Sequence, residues 1–323
     1  GGDLPREFLT SRSKRDALRV VTYSASCDAS RVDEVVVELV DLDADLICVQ
    51  QLAGATAFLR LSAALSGVGY VGSCAEREVD RTVLATFVRV ETLSVASVES
   101  STLAAALIVA REAVRFNPAD DATMKERVAK GGGVVLSHVL EQRATSMRFV
   151  VGNVDMTEAC RGSAGAVAAC IVDATIRNVA SQHSVPCGRA LLLGRVSDAP
   201  SSGAFAVLAG DLDASHTDHP RGTAWSAGML NVPMPYRDSR AARLGKVGSP
   251  PRVFSTAPSA AGTTALQDHI FVGDDVDVLE TLPLPFGTKV DAVSFGALPN
   301  DDFPCTHLAV GAVVLLTDHV GID

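Results

Sequence analysis

Side chains able to handle a proton or a divalent cation crowd the stretch Asp211-Leu212-Asp213-Ala214-Ser215-His216-Thr217-Asp218-His219. Carboxylate oxygens and imidazole nitrogens are the groups that hard and borderline divalent ions accept as ligands. The stretch has neither the central glycine and terminal glutamate of a calcium loop nor a helical HExxH pattern. It therefore reads as a hydrophilic surface loop, with an atypical metal site as the alternative. Asp155 offers another carboxylate, while His138, His183 and His319 stand alone and read as core or surface histidines. Gly131-Gly132-Gly133 precedes neither GKS nor GKT and leads into a strand pattern, which argues against a phosphate-cradling loop. No G-x-S-x-G elbow is present, and no cysteine lies in a setting that marks a nucleophile.

Six segments carry a different signal through their order. They are Leu18-Arg19-Val20-Val21-Thr22-Tyr23-Ser24, Asp45-Leu46-Ile47-Cys48-Val49-Gln50-Gln51-Leu52, Phe149-Val150-Val151-Gly152-Asn153-Val154-Asp155-Met156, Val207-Leu208-Ala209-Gly210-Asp211-Leu212-Asp213, Gln267-Asp268-His269-Ile270-Phe271-Val272, and Leu298 to Ala309 with Cys305-Thr306-His307-Leu308 inside it. In this order and spacing they resemble the pocket motifs of the endonuclease/exonuclease/phosphatase superfamily, and the closing segments are most similar to its deadenylase (nocturnin-like) and 2′,5′-phosphodiesterase branch. The resemblance implies a four-layer α-β-β-α sandwich, an α/β fold of two mainly antiparallel sheets with outer helices. It also implies a chemistry: a divalent cation held by carboxylates, a polarised water, and a histidine managing a proton or the phosphoryl charge.

Compared with that pattern, Asp211, Asp268, Asn153 and His307 are retained and five positions depart. Ser24 replaces an asparagine amide with a shorter hydroxyl. Gln51 replaces the glutamate that would be the chief anionic metal ligand, keeping its shape and losing its charge. Asp155 stands where the family has a histidine, and near a phosphate it is expected to add repulsion. Asp213 replaces an asparagine. Thr306 replaces the aspartate before His307, and with it the expected negative charge that would fix an imidazole tautomer. Substitutions within one catalytic unit act on the same transition state, so their combination implies that the inherited reaction is lost.

The composition sets further bounds. The chain has 323 residues, 47% of them hydrophobic and 20% charged, with a formal net charge of −10. That charge opposes sequence-blind binding of a polyanion, and aromatics at 5% are too sparse for a base-stacking platform. The positive mean hydropathy implies apolar surface buried internally or against partners. Seven cysteines, odd in number and without paired C-x-x-C motifs, read as buried thiols of a reducing compartment. No apolar run reaches membrane-spanning length and no signal-peptide core opens the chain, so an intracellular protein is expected, mitochondrial or cytoplasmic.

The elements that must position these residues follow from periodicity. Strand patterns cover Leu18–Thr22, Leu46–Val49, Thr82–Val90, Val134–Leu140, Met147–Val154, Ala204–Ala209, Leu266–Val272, Val276–Leu282 and Leu308–Leu316. Helical spacing covers Arg31–Leu42, Gly54–Leu65, Ser101–Val114 and Ala164–Ala180. Residues 215–261, rich in Pro, Gly, Ser and Arg, form a long connection. A basic tail over 1–17 and a single domain over 18–323 are expected. The expected function is that of a catalytically inactive nuclease-like scaffold, a structural or assembly subunit of an RNA-containing complex concerned with ribosome assembly or RNA processing. Its expected partners are protein subunits, with RNA among them, and neither membrane nor DNA; no cofactor is expected. The alternatives are a divergent Mg²⁺-dependent phosphodiesterase using Asp211, Asp268 and Asp155 with His307, and a non-hydrolysing RNA or nucleotide-binding module.

Overall fold

The computed structural model describes residues 16–26, 29–113, 133–156, 163–195, 237–238, 268–282 and 304–318. The chain opens with β1 (Ala17–Ser24), a short 3-10 turn, α1 (Val32–Asp41), β2 (Leu46–Leu52) and α2 (Gly54–Ser66). Val32, Val35 and Leu39 bury one stripe of α1, and Ala57, Leu61 and Leu65 one stripe of α2. These spacings of three and four place apolar residues on a single helix face. Asp33 and Glu34 in the first turn of α1 complement its positive end.

β3 (Tyr70–Glu76), β4 (Val83–Arg89) and β5 (Leu93–Thr102) come next, followed by α3 (Leu103–Ala113). The hairpin of β6 (Val134–Gln142) and β7 (Arg148–Asp155) leads to α4 (Ser163–Gln182), β8 (Ala190–Arg195), the short β9 (Arg237–Asp238), β10 (Asp268–Val272), β11 (Val276–Thr281) and β12 (Val310–Leu316). Among the described residues the strands form two six-stranded sheets. One runs β11-β12-β1-β2-β4-β3 and the other β5-β6-β7-β8-β10-β9. Only β1–β2 and β7–β8 pair in parallel, so both sheets are mainly antiparallel, as the α/β sandwich expectation requires.

β1 and β2 read as continuous apolar runs because both of their faces are covered. One face packs on α1 and α2 through Val21, Tyr23, Ile47, Val49 and Leu61. The other meets the second sheet through Leu18, Val20, Cys48, Phe149, Val151, Leu193 and Ile270. Most expected elements are observed within a few residues of their sequence bounds. Strands β3, β5, β8 and the two-residue β9, which falls within the expected long connection, were not expected. β3 exposes Val71 and β5 exposes Val95 and Val98, so apolar residues do not mark a buried face in either, and β5 is a sheet edge with the pattern Leu-Ser-Val-Ala-Ser-Val-Glu-Ser-Ser-Thr, whose serines resemble loop composition. The expected strand Ala204–Ala209, the stretch Asp211–His219, residues 1–15 of the basic tail and His319 lie outside the described residues.

Buried Cys48 and Cys305 fit the expected reduced thiols, and burial pushes the Cys48 thiol up to about 12. Cys74 and Cys187 are free but exposed, which corrects the expectation that the cysteines as a group are buried. Both sit where the chain meets solvent, Cys74 on the outer face of edge strand β3.

Candidate functional site

The C-terminal ends of β1 and β2 run side by side because the two strands are parallel, with Ser24 opposite Gln50. An irregularity in the β2–β4 register between Val49 and Leu52 lets two consecutive glutamines diverge. Gln50 points into the interior. Its Nε2 donates to Asn153 Oδ1 at 2.8 Å and to Thr22 Oγ1 at 3.0 Å. Gln51, in the left-handed region at φ 57, stays at the rim, where Ser24 Oγ donates to its Oε1 at 3.4 Å. The two rim positions expected from the strand ends therefore touch, as a hydroxyl–amide pair carrying no charge.

Asn153 and Asp155 lie two residues apart on β7 and share the face turned toward the other sheet. The Asn153 amide is committed: Nδ2 donates to Ala85 O at 2.9 Å and to Val49 O and Thr86 Oγ1 at 3.3 Å, while Oδ1 accepts from Gln50. It ties the two sheets together one layer below the rim. Asp155, fully buried, accepts a charge-assisted hydrogen bond from Arg77 Nη1 at 3.0 Å, and the same nitrogen lies 3.2 Å from Asp80 Oδ2. Arg77 has a side chain only 2% exposed, held just beyond β3 by backbone bonds to Thr82 and Arg81. From its sequence position the Asp155 carboxylate is expected to bring repulsion to the rim. The structure corrects this, because a buried guanidinium neutralises it.

On the opposite side, Asp268 opens β10 and His307 lies in the segment leading into β12. His307 Nδ1 is 2.6 Å from Asp268 Oδ2, with both residues buried, so the imidazole donates to the carboxylate and its tautomer is fixed. The carboxylate that orients His307 is thus Asp268, from the second sheet. The expectation that replacing the preceding aspartate by Thr306 deprives His307 of its anionic partner is overturned. Thr306 instead donates to Ser26 O at 3.5 Å, tying its segment to the end of β1. Cys305 is anchored against Tyr23, whose hydroxyl donates to Glu38 Oε2 at 2.7 Å; burial, then Glu38, then Cys305 raise the Tyr23 phenol well above its ordinary range.

β8 stands between β7 and β10, and it ends on Gly194-Arg195. In the register Arg195 is opposite both Asp155 and Asp268. Gly194 has φ +147, and a Cβ there would collide with the Val154 carbonyl, so this turn of backbone is open to glycine alone. Asp211 and Asp213 lie outside the described residues. The described rim thus brings together Ser24 and Gln51, Asp155 with Arg77, and Asp268 with His307. Asn153 is below it, and Arg195 is in register between the two buried aspartates.

Sequence reasoning missed Gln50, Arg77 and Arg195. The Gln50-Gln51 pair closing an apolar run was the visible signal for the first. The frame Ala190-Leu191-Leu192-Leu193-Gly194 was the signal for the third. Arg77, within Glu76-Arg77-Glu78-Val79-Asp80-Arg81, looks like a solvated charge cluster, and nothing local announces its burial.

No protein-family model matches the chain, and no curated protein matches it. Solved structures do. A crystal structure of ANGEL2, described as a 2′,3′-cyclic phosphatase in complex with adenosine-2′,3′-vanadate, aligns at 17% identity and TM-score 0.67 over 93% of this chain and 96% of that one. The human Nocturnin catalytic domain with a bound sulfate aligns at 14% identity and TM-score 0.62, covering 94% and 95%. An endonuclease/exonuclease/phosphatase from Bacteroides vulgatus aligns at 16% identity and TM-score 0.62, covering 93% and 99%. At these identities the likeness establishes the fold: the chain has the endonuclease/exonuclease/phosphatase architecture over nearly its whole length.

Proposed function

We propose that the protein is a non-hydrolysing derivative of this nuclease-like fold that serves as a structural or assembly subunit, in a complex that contains RNA. The observation carrying the reading is the buried Arg77–Asp155 pair at the position where the resemblance expects a histidine. A histidine there could donate a proton or stabilise phosphoryl charge near neutral pH. An aspartate paired to arginine supplies no proton, since the guanidinium does not release its own and the carboxylate is an acceptor already held by it. The neutral Ser24–Gln51 pair supports the same conclusion, because the position expected to hold the main metal-anchoring charge carries none.

A bound divalent cation would supply Lewis acidity and an activated water in an enzyme of this fold. The described side chains do not fit that group. Gln51 is uncharged, Asp155 is engaged by Arg77, and Asp268 by His307. Among the described residues no group of three or more His, Cys, Asp and Glu side chains is placed to hold an ion. The described rim groups are therefore engaged with one another, and the pairing of residues from both sheets serves cohesion.

The RNA setting rests on the fold's likeness to ANGEL2, described as a 2′,3′-cyclic phosphatase with adenosine-2′,3′-vanadate, and to a protein described as an endonuclease/exonuclease/phosphatase, and the scaffold role on the apolar, weakly charged chain. The test is turnover. Purified protein with Mg²⁺ or Mn²⁺ is expected to leave poly(A), 2′,5′-linked oligoadenylate and a model phosphodiester uncleaved. One observation favours a second reading, a divergent phosphodiesterase: the His307–Asp268 pair is intact and poised to move a proton. Metal-dependent cleavage that disappears in His307→Ala would replace the first reading with the second.

A further inference from the structure

We propose that Arg195 is a resident cation, a permanently charged side chain that takes the place of the divalent metal at this rim and closes the site to metal ions. The proposal deepens the reading of the fold as non-hydrolysing and rests on it. Its starting point is the strand register. Asp155 on β7, Arg195 on β8 and Asp268 on β10 are consecutive partners across three neighbouring strands. Partners in register share a sheet face, and neighbouring strands stand about 4.8 Å apart.

The shared face is the one turned toward the other sheet. Phe149 and Val151, which precede Asp155 by even steps, lie in the core between the sheets, and so do Leu191 and Leu193 before Arg195 and Ile270 and Val272 after Asp268. Across the rim the order of groups is Arg77, Asp155, Arg195, Asp268, His307, so cationic or protonatable groups alternate with two carboxylates that are both fully buried. Asp155 and Asp268 are buried on the two strands that flank β8, each already held by one partner, Arg77 or His307, and a positive group between them would further offset the cost of burying two carboxylates in one sheet. A metal ion is one such group. An arginine between them is another, and unlike histidine or lysine it stays charged at any pH the protein meets.

The residue frame points the same way. The resemblance places an apolar strand followed by Gly-Asp at the rim of the second sheet, which sequence analysis located at Gly210-Asp211. β8 supplies an apolar strand followed by Gly194-Arg195 in the middle of that sheet, with the glycine required by the close approach of the Val154 carbonyl. By this assignment the acidic position of the motif is held by an arginine, a change of two charge units where a metal would otherwise sit. A divalent ion brought to this point would meet a fixed like charge.

The assignment is tested on the full chain by thermal unfolding with Mn²⁺ or with chelator. Wild-type protein is expected to have the same Tm in both. Arg195→Asp is expected to unfold earlier in chelator, since it gathers three carboxylates, and to regain several degrees with Mn²⁺ as the ion binds the folded state. Arg195→Gln, which removes the cation without adding a ligand, is expected to be destabilised with no recovery. A rise in wild-type Tm with Mn²⁺, above all one abolished by Asp211→Ala, would overturn the proposal, as would a folded Arg195→Asp indifferent to Mn²⁺. Should Arg195→Asp not fold, Arg195→Lys decides against Arg195→Gln: the lysine, which keeps a cation at this position, should regain most of the Tm that the glutamine loses, and equal losses in the two overturn the assignment. Phosphodiester turnover by the wild type would defeat the functional reading, whereas Mn²⁺ stabilisation without turnover would defeat only the role given to Arg195.

Discussion

Two buried pairs flank Arg195 in the strand register and differ in one respect that decides what each can do. Arg77–Asp155 closes at 3.0 Å and His307–Asp268 at 2.6 Å, and all four side chains are almost wholly removed from solvent. The imidazole can lose its charge and remain hydrogen-bonded; the guanidinium cannot. The first pair is therefore a fixed electrostatic joint, and the second keeps the ability to exchange a proton. A phosphodiesterase needs exchangeable groups acting on a metal-held phosphate, and the fixed Arg77–Asp155 pair is what the proposed non-hydrolysing reading rests on.

The difference predicts unequal costs for the same deletion. Asp155→Ala leaves a buried arginine without its main counter-charge and is expected to destabilise the protein by about 3–5 kcal/mol. Asp268→Ala leaves the His307 ring N–H without its acceptor and is expected to cost about 1–2 kcal/mol. Urea unfolding of both variants measures the gap, and equal losses would break the comparison. The paired variant Arg77→Met with Asp155→Leu should recover much of the first loss, because replacing both members of a buried pair with apolar groups removes the unmet charge.

A third buried titratable group extends the comparison to pH. His138 on β6 lies with its Nε2 2.5 Å from Ser73 Oγ, and burial lowers its pKa to about 4. The folded state thus binds this proton less well than the unfolded chain, whose histidine titrates near its ordinary value. The resulting stability is fully present above about pH 6.5 and is lost as pH falls toward about 4, by on the order of 3 kcal/mol. His138→Leu should flatten that part of the acid limb. Chemical unfolding at neutral and acid pH checks it, and an unchanged pH slope in the variant counts against a depressed histidine.

Asn153 supplies the next smaller effect, from the layer beneath the rim. Its amide joins β2, β4 and β7, so Asn153→Ala leaves carbonyls of Val49 and Ala85 and the Gln50 amide short of partners, at about 2–3 kcal/mol. Because this layer is part of the joint between sheets, the loss should appear in stability whether or not the protein has any catalysis. A stability change below about 0.5 kcal/mol would mean water replaces those bonds and the seam is less important than its geometry indicates.

Most of the fold was legible because its signals are local. Helical spacing in Val32-Val35-Leu39, alternation and apolar runs in β1, β2, β4, β7 and β12, and the ordered motifs fixed the architecture. β5 was not legible, since an edge strand half open to solvent can be built from serines. At the site, Ser24 meeting Gln51 followed from parallel strand ends. The partners of Asp155 and His307 did not follow. Arg77 is 78 residues away from Asp155 and Asp268 is 39 residues from His307, so neither pairing leaves a trace in spacing. The position before His307 looked like its electrostatic partner only because neighbours in sequence are visible and neighbours across two sheets are not.

The smallest expected effect isolates burial from contact. Asp33 and Arg60 join α1 to α2 with an N–O distance of 2.9 Å, closer than the 3.0 Å of Arg77–Asp155, yet their side chains are 79% and 43% exposed. Water already solvates both charges when the pair is broken, and salt screens their attraction when it is made, so Asp33→Ala should change stability by about 0.5 kcal/mol or less. Raising the salt concentration should erase even that, while leaving the Asp155→Ala loss nearly intact because ions do not reach the buried guanidinium. Near-identical distances with costs differing several-fold would locate the rim's cohesion in desolvation; comparable costs for the two deletions would instead mean that water reaches Arg77.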